Sequence, residues 1–168
     1  MKWLLRKNNR AITSVIILVL VTLAGLGLTY IFPVITTVVT LPASARECVI
    51  PAESFQLKWL HSVEKTPWSE HYQRASQGFI LTDTELVSFG AGTPSTAPVL
   101  SQENEHVRLQ VNTFIKEINW MVSRNMQGQI IFDRHQWTVS EQLPDYSLVK
   151  ITVQHIPIWK VWTLGVCQ

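Results

Sequence analysis

Two hydrophobic regimes divide the chain. Ala11 to Phe32 form a 22-residue apolar run, and no charged residue stands between Arg10 and Arg46. As a helix such a run rises about 33 Å, the thickness of a bilayer core, so it predicts a transmembrane helix. Pro33 and the β-branched run Val34 to Thr40 predict the end of that helix and a short juxtamembrane segment over 33–45. Beyond Arg46 the pattern changes to short runs in which apolar and polar residues alternate, with no sustained period of 3.6. These predict strands at Glu47 to Ile50, Ser54 to Val63, Trp68 to Ala75, Gly78 to Leu86, His106 to Phe114, Glu117 to Val122, Gln129 to Phe132, Trp137 to Val139, Ser147 to His155 and Ile158 to Leu164. Gly90 to Gln102 and the following Glu103-Asn104-Glu105 have little strand character and predict a long loop. Ten short strands at this spacing point to an all-β domain, a small sandwich or partly open barrel, over 46–168.

Charge adds an orientation. Lys2, Arg6, Lys7 and Arg10 precede the apolar run with no acid among them, which predicts a cytoplasmic basic flank over 1–10 and an exported C-terminal part. Leu41-Pro42-Ala43-Ser44-Ala45 ends in the small-x-small pattern of a cleavage site, so release before Arg46 competes with an uncleaved anchor over 11–32. The length of the apolar run favours the anchor. Without the four N-terminal cations, ten basic residues face twelve acids. That balance offers no basic patch for nucleic acid.

Cys48 and Cys167 are the only cysteines, and they bracket the exported part. In an oxidising compartment a disulfide between them is the expected pairing, and the absence of Cys-x-x-Cys spacing argues against a cysteine metal site.

The densest chemistry lies between Phe55 and Arg74. Folded as a hairpin turning at Lys65-Thr66, Phe55, Leu57, Trp59, His61 and Val63 share a face with Trp68, Glu70, Tyr72 and Arg74, and His61 stands opposite Glu70 while Trp59 stands opposite Tyr72. An ionisable pair on an apolar face is either a register-fixing salt bridge or a site. Glu64 and His71 point to the other face, so the four groups do not converge on a metal, and no cofactor is expected. Ser62 and Ser69 lack a strained Gly-x-Ser-x-Gly elbow, and no catalytic residue is assigned. Trp68, beside Pro67, is a candidate partly exposed contact. Gly90 and Gly92 form either a backbone nest for an anion or a sharp turn, and Glu85 leads toward them.

His61-Ser-Val-Glu-Lys-Thr-Pro-Trp68 with Glu70 and Tyr72, followed by Phe89-Gly90-Ala91-Gly92, resembles the two blocks of the bacterial domain of unknown function family 1850. Relatives commonly continue the second block with Met-Glu-Pro-Pro, where this chain has Thr93 to Pro98. The resemblance implies a small extracytoplasmic protein whose gene accompanies a tripartite ATP-independent periplasmic (TRAP) transporter of the TAXI type. The expectation is therefore a single-pass protein of the bacterial inner membrane with its C-terminal domain in the periplasm. It would be non-catalytic, with the permease or its substrate-binding protein as partner. The competing expectation is a small-ligand or metal-binding module built on His61, Glu70 and Gly90 to Gly92, with an enzyme using the same residues third.

Overall fold

The computed structural model describes residues 2–87, 96–103 and 106–168, and the side chains of 2–11, 29 and 31 stand outside that description. A helix, α1 (Lys2–Ile31), opens the chain. Among the described residues, no helix is long and apolar enough to cross a membrane. The described apolar side chains of α1 are nonetheless uncovered, with Val15, Leu18, Val21 and Leu26 each 60% or more exposed.

The helix stops at a chemical boundary. The Phe32 amide still donates to Leu28 O at 3.1 Å, but Pro33 has no N–H and disfavours helix in the residue before it. The β-branched residues that follow form strand β1 (Pro33–Leu41). β1 pairs antiparallel with β2 (Arg46–Ile50) on one side and with β11 (Ser147–Pro157) on the other. A 3-10 turn at Pro42–Ser44 joins β1 to β2, with Ala45 in the left-handed region at φ 51°. The expected juxtamembrane linker over 33–45 is thus a structural strand of the domain, with Val38 and Val39 both fully buried. Buried on both faces, β1 shows no simple alternation of apolar and polar residues, and Thr36 and Thr37 are buried along with the valines.

The remaining strands are β3 (Ser54–Leu60), β4 (Pro67–Arg74), β5 (Phe79–Leu86), β6 (Val99–Glu103), β7 (His106–Ile115), β8 (Glu117–Val122), β9 (Gln129–Phe132) and β10 (His135–Thr138). They complete two antiparallel sheets, ordered β2-β1-β11-β8 and β10-β9-β3-β4-β5-β7-β6. Side chains from both sheets, among them Val39, Ile50, Leu57, Phe79, Ile130 and Ile151, fill one core, the arrangement of a sandwich. Arg74 straps the sheets together, donating to the carbonyls of Ala52 at 3.1 Å and of Ile50 and Pro51 at 3.4 Å. Burial lowers its pKa, partly offset by Glu53.

Two elements differ from the alternation reading. Ile158–Leu164, expected as a strand, is helix α3, opened by Pro157 and preceded in the chain by the short helix α2 (Val139–Gln142). Val161 and Leu164 pack on Val38, Val49 and Ile156 across the outer side of the four-stranded sheet. The edge strand β6 occupies part of the expected loop, and every residue in it is exposed. The chain ends tied back to β2: Val49 N–H donates to Gly165 O at 2.9 Å, Cys167 N–H donates to Val49 O at 3.0 Å, and the Cys48–Cys167 disulfide closes the domain with a Cα separation of 5.0 Å.

Candidate functional site

The hairpin has the expected faces in a different register. β3 and β4 pair with Trp59 opposite Trp68, Leu57 opposite Glu70 and Phe55 opposite Tyr72. The shift from the expected pairing is even-numbered, so the same side chains still face inward. The strands stop at Leu60 and Pro67 because the intervening residues close on themselves. His61 N–H donates to Thr66 O at 2.9 Å, and Lys65 N–H donates to His61 O at 3.0 Å, with Lys65 in the left-handed region at φ 56°.

His61 therefore does not face Glu70. It is a turn residue, its Nδ1 accepting the Glu64 amide at 3.1 Å and its ring stacked on Trp68 at 4.8 Å. Glu64 lies exposed in the same turn. Trp68, expected as a partly exposed contact, is buried at 6% exposure in a cluster with Trp59, whose far side meets Trp120. Among the described residues neither the Trp68 Nε1 nor the Thr66 Oγ1, both buried, has a hydrogen-bond partner.

Glu70 takes a different partner. It points inward between Leu57 and Thr84 and accepts a 2.5 Å hydrogen bond from the Tyr72 hydroxyl, two residues along its own strand. Burial raises the Glu70 carboxyl above its ordinary range, and the Tyr72 bond only partly offsets this. The Tyr72 phenol is raised as well, by burial first and then by the charge and hydrogen bond of Glu70. The pair can hold a proton in the interior, and among the described residues no histidine is hydrogen-bonded to either group.

A second constellation lies on the outer face of the seven-stranded sheet. The register of β5 slips between Leu81 and Asp83 against β7, and that of β4 slips between His71 and Tyr72 against β5. These bulges turn Thr84 and Leu86 inward after Phe79 and Leu81, so Asp83 and Glu85 emerge outside beside His71, His106 and Arg108. Asp83 Oδ1 accepts Arg108 Nε at 2.5 Å and lies 2.8 Å from His71 Nδ1, while its Oδ2 accepts the Thr82 hydroxyl at 2.8 Å. Burial alone would raise this carboxyl, but the Arg108 and Thr82 bonds and the neighbouring charges outweigh it and hold Asp83 below its ordinary value. Glu85 pairs with His106 at 3.0 Å. It stands on the face opposite Glu70 and so does not extend the hairpin cluster.

Open grooves flank this ionic row. One, of about 430 Å³, includes Ser54, Gln56, His71, Gln73, Thr82 and Asp133; the other, of about 310 Å³, is lined by Glu85, Ser101, Glu103, His106 and Arg108. Among the described residues no group of three or more His, Cys, Asp or Glu side chains could hold a metal ion. Sequence reasoning missed Asp83, His106 and Arg108. The signal available was their spacing of two: Asp83 and Glu85 on one strand, His106 and Arg108 on the next.

The family comparison bears on the same strands. The model of the family described as Domain of unknown function (DUF1850) matches residues 55–139, from β3 through the end of β10. The chain belongs to the DUF1850 family. The match takes in the whole seven-stranded sheet and β8, and leaves α1, β1, β2, β11, α3 and both cysteines outside it. No curated protein and no solved structure matches the chain. The second DUF1850-like block, with Gly90 and Gly92, lies outside the described residues.

Proposed function

We propose that this DUF1850 protein is a membrane-anchored, extracytoplasmic, non-catalytic accessory domain that works beside a TAXI-type TRAP transporter. The observation that carries the reading is the junction at Pro33. An uncharged run preceded by four basic residues leads without a linker into β1, so an anchor there would hold the sandwich rigidly against the outer leaflet. Tethering of this kind raises the effective concentration of the domain for partners in the same membrane. The formed disulfide suits an oxidising compartment. The transporter enters through the family resemblance.

The position of the hairpin narrows the choice of partner. Trp120, in the cluster around the hairpin end, pairs with Val149, whereas the α1 end of β11 is Pro157, opposite Pro33. Eight residues of strand separate the two, roughly 26 Å at ~3.3 Å per residue. The His61 to Thr66 turn is thus remote from the anchor, which favours the soluble substrate-binding protein over the membrane-embedded permease as what it meets. A photocrosslinking residue at Glu64, in protein kept in its native membrane, should capture the binding protein. Capture of the permease alone would reverse the assignment, and no transporter component at Glu64 or on the outer face would refute the proposal.

A further inference from the structure

We propose that α3 and the last turn of α1 form an aromatic collar that seats the domain on the headgroup region of the lipid bilayer. The inference rests on the anchor reading and adds a second, peripheral contact with the same membrane.

The spacing within α3 separates two faces. Val161 and Leu164 cover the four-stranded sheet, while Trp159 and Trp162 project elsewhere, exposed by 36% and 74%. A seven-residue helix with two outward tryptophans is not explained by the core beneath it. The Trp159 ring instead stacks on Tyr30, centroids 5.5 Å apart and planes within 14°. Tyr30 belongs to the final turn of α1, so the stack fixes Trp159 at the level where the apolar helix ends. Phe32 and Ile35, 64% and 44% exposed, extend the same rim. Tryptophan and tyrosine combine an apolar body with a polar edge and concentrate at the depth where hydrocarbon meets headgroups. Lys160, between the two tryptophans in sequence, adds a cation suited to anionic lipid.

The collar is held rigidly. α3 follows β11 directly, and the disulfide at Cys167 fixes the chain three residues after it. With α1 as one attachment and α3 as the other, the sandwich cannot swivel freely about its anchor, and the hairpin end is aimed away from the surface. Continuity with the uncovered side chains of α1 argues for lipid as the occupant over a second copy of the chain or a partner's helix.

The test uses the full chain in phosphatidylcholine/phosphatidylglycerol vesicles, with the emission of Trp162 isolated as the difference between wild type and Trp162→Phe. Lipids brominated at shallow acyl positions should quench most of that difference signal, and aqueous iodide should leave it largely intact. Iodide quenching without bromolipid quenching, in protein that resists alkaline carbonate extraction, would overturn the collar and leave the anchor standing. Protection from both quenchers would put protein on Trp162 and also overturn it. Extraction of the chain by alkaline carbonate would overturn the anchor and the collar together.

Discussion

Breaking the Cys48–Cys167 disulfide tests whether the two ends of the domain are held by packing or by the crosslink. The bond closes a loop with a sequence separation of 119. In the chain-entropy description, a loop of that length removes about 16 cal/mol/K from the unfolded ensemble, or about 5 kcal/mol at 25 °C. Typical domains are stable by about 5–15 kcal/mol, so such a loss is large. The native contacts around the bond are compact: Cys167 is 1% exposed, and two backbone hydrogen bonds tie its segment to Val49. A Cys48→Ala/Cys167→Val protein should therefore fold to the same sandwich but lose about 3–5 kcal/mol in urea unfolding, with an increased m-value because its unfolded state is less compact. Reduction of the wild type should give a similar loss and should leave the double variant unchanged. A loss below about 1 kcal/mol would refute the loop-closure reasoning. A separate transition in which α3 detaches while the rest keeps its midpoint would show instead that the crosslink acts only locally.

Three further outcomes follow from the side-chain networks. Glu70→Gln should hold or raise stability at neutral pH. The folded carboxyl is raised by burial, so the native state binds more protons than the unfolded chain as pH rises from the ordinary value of 4.5, and stability falls across that window until the folded group has also ionised. Glutamine should remove that slope in urea unfolding followed from pH 4 to 8, and a loss above about 1 kcal/mol at pH 7 would count against the account. A double-mutant cycle between His61→Ala and Glu70→Gln should show coupling within about 0.5 kcal/mol, since no contact joins them; a coupling of 1 kcal/mol or more would restore the pairing that the register excludes. Asp83→Asn should cost about 1.5–3 kcal/mol through the weakened charged hydrogen bonds. Because Asp83 is lowered from 3.8, its contribution is present above that value and fades as pH falls through the folded value, so the asparagine variant should show a flatter acid limb in the same assay.

Alternation made most of the sandwich legible. Glu117 to Val122 and Gln129 to Phe132 coincide with their strands, because one face of each meets the core and the other does not. β1 escaped because it is buried on both sides and shows no simple alternation, so its residues, standing after the helix-ending Pro33, read as a juxtamembrane segment. α3 was read as a strand because Ile158, Trp159, Val161 and Trp162 are strand formers, yet Ile158, Val161 and Leu164 recur every three residues directly after Pro157, a helical spacing. At the hairpin, the alternation specified the face of Glu70 but not its partner, since every even-numbered shift preserves the faces. Which shift occurs depends on the closure of His61 on Thr66, a backbone choice that the side-chain pattern does not encode. The outer network depended on a bulge at Thr82, which moves Asp83 out of the simple alternation from Phe79.

The pairing of β1 bears on the two processing outcomes open in the sequence. Cleavage before Arg46 would remove the whole of β1, and with it the strand that joins β2 to β11. The loss includes Val38, Val39 and Leu41, each buried to 5% exposure or less, and burying such side chains is worth about 1.5–3 kcal/mol apiece. Their combined contribution is comparable with the whole stability of an ordinary domain. β2 would then be held mainly by the disulfide and the short bridge to Val166. A protein beginning at Arg46 and exported to an oxidising compartment should accordingly fail to unfold cooperatively and should be degraded readily, whereas one beginning at Pro33 should fold. A chain of residues 46–168 with the wild-type unfolding midpoint would show that β1 is dispensable, and a release site before Arg46 would again be compatible with the fold.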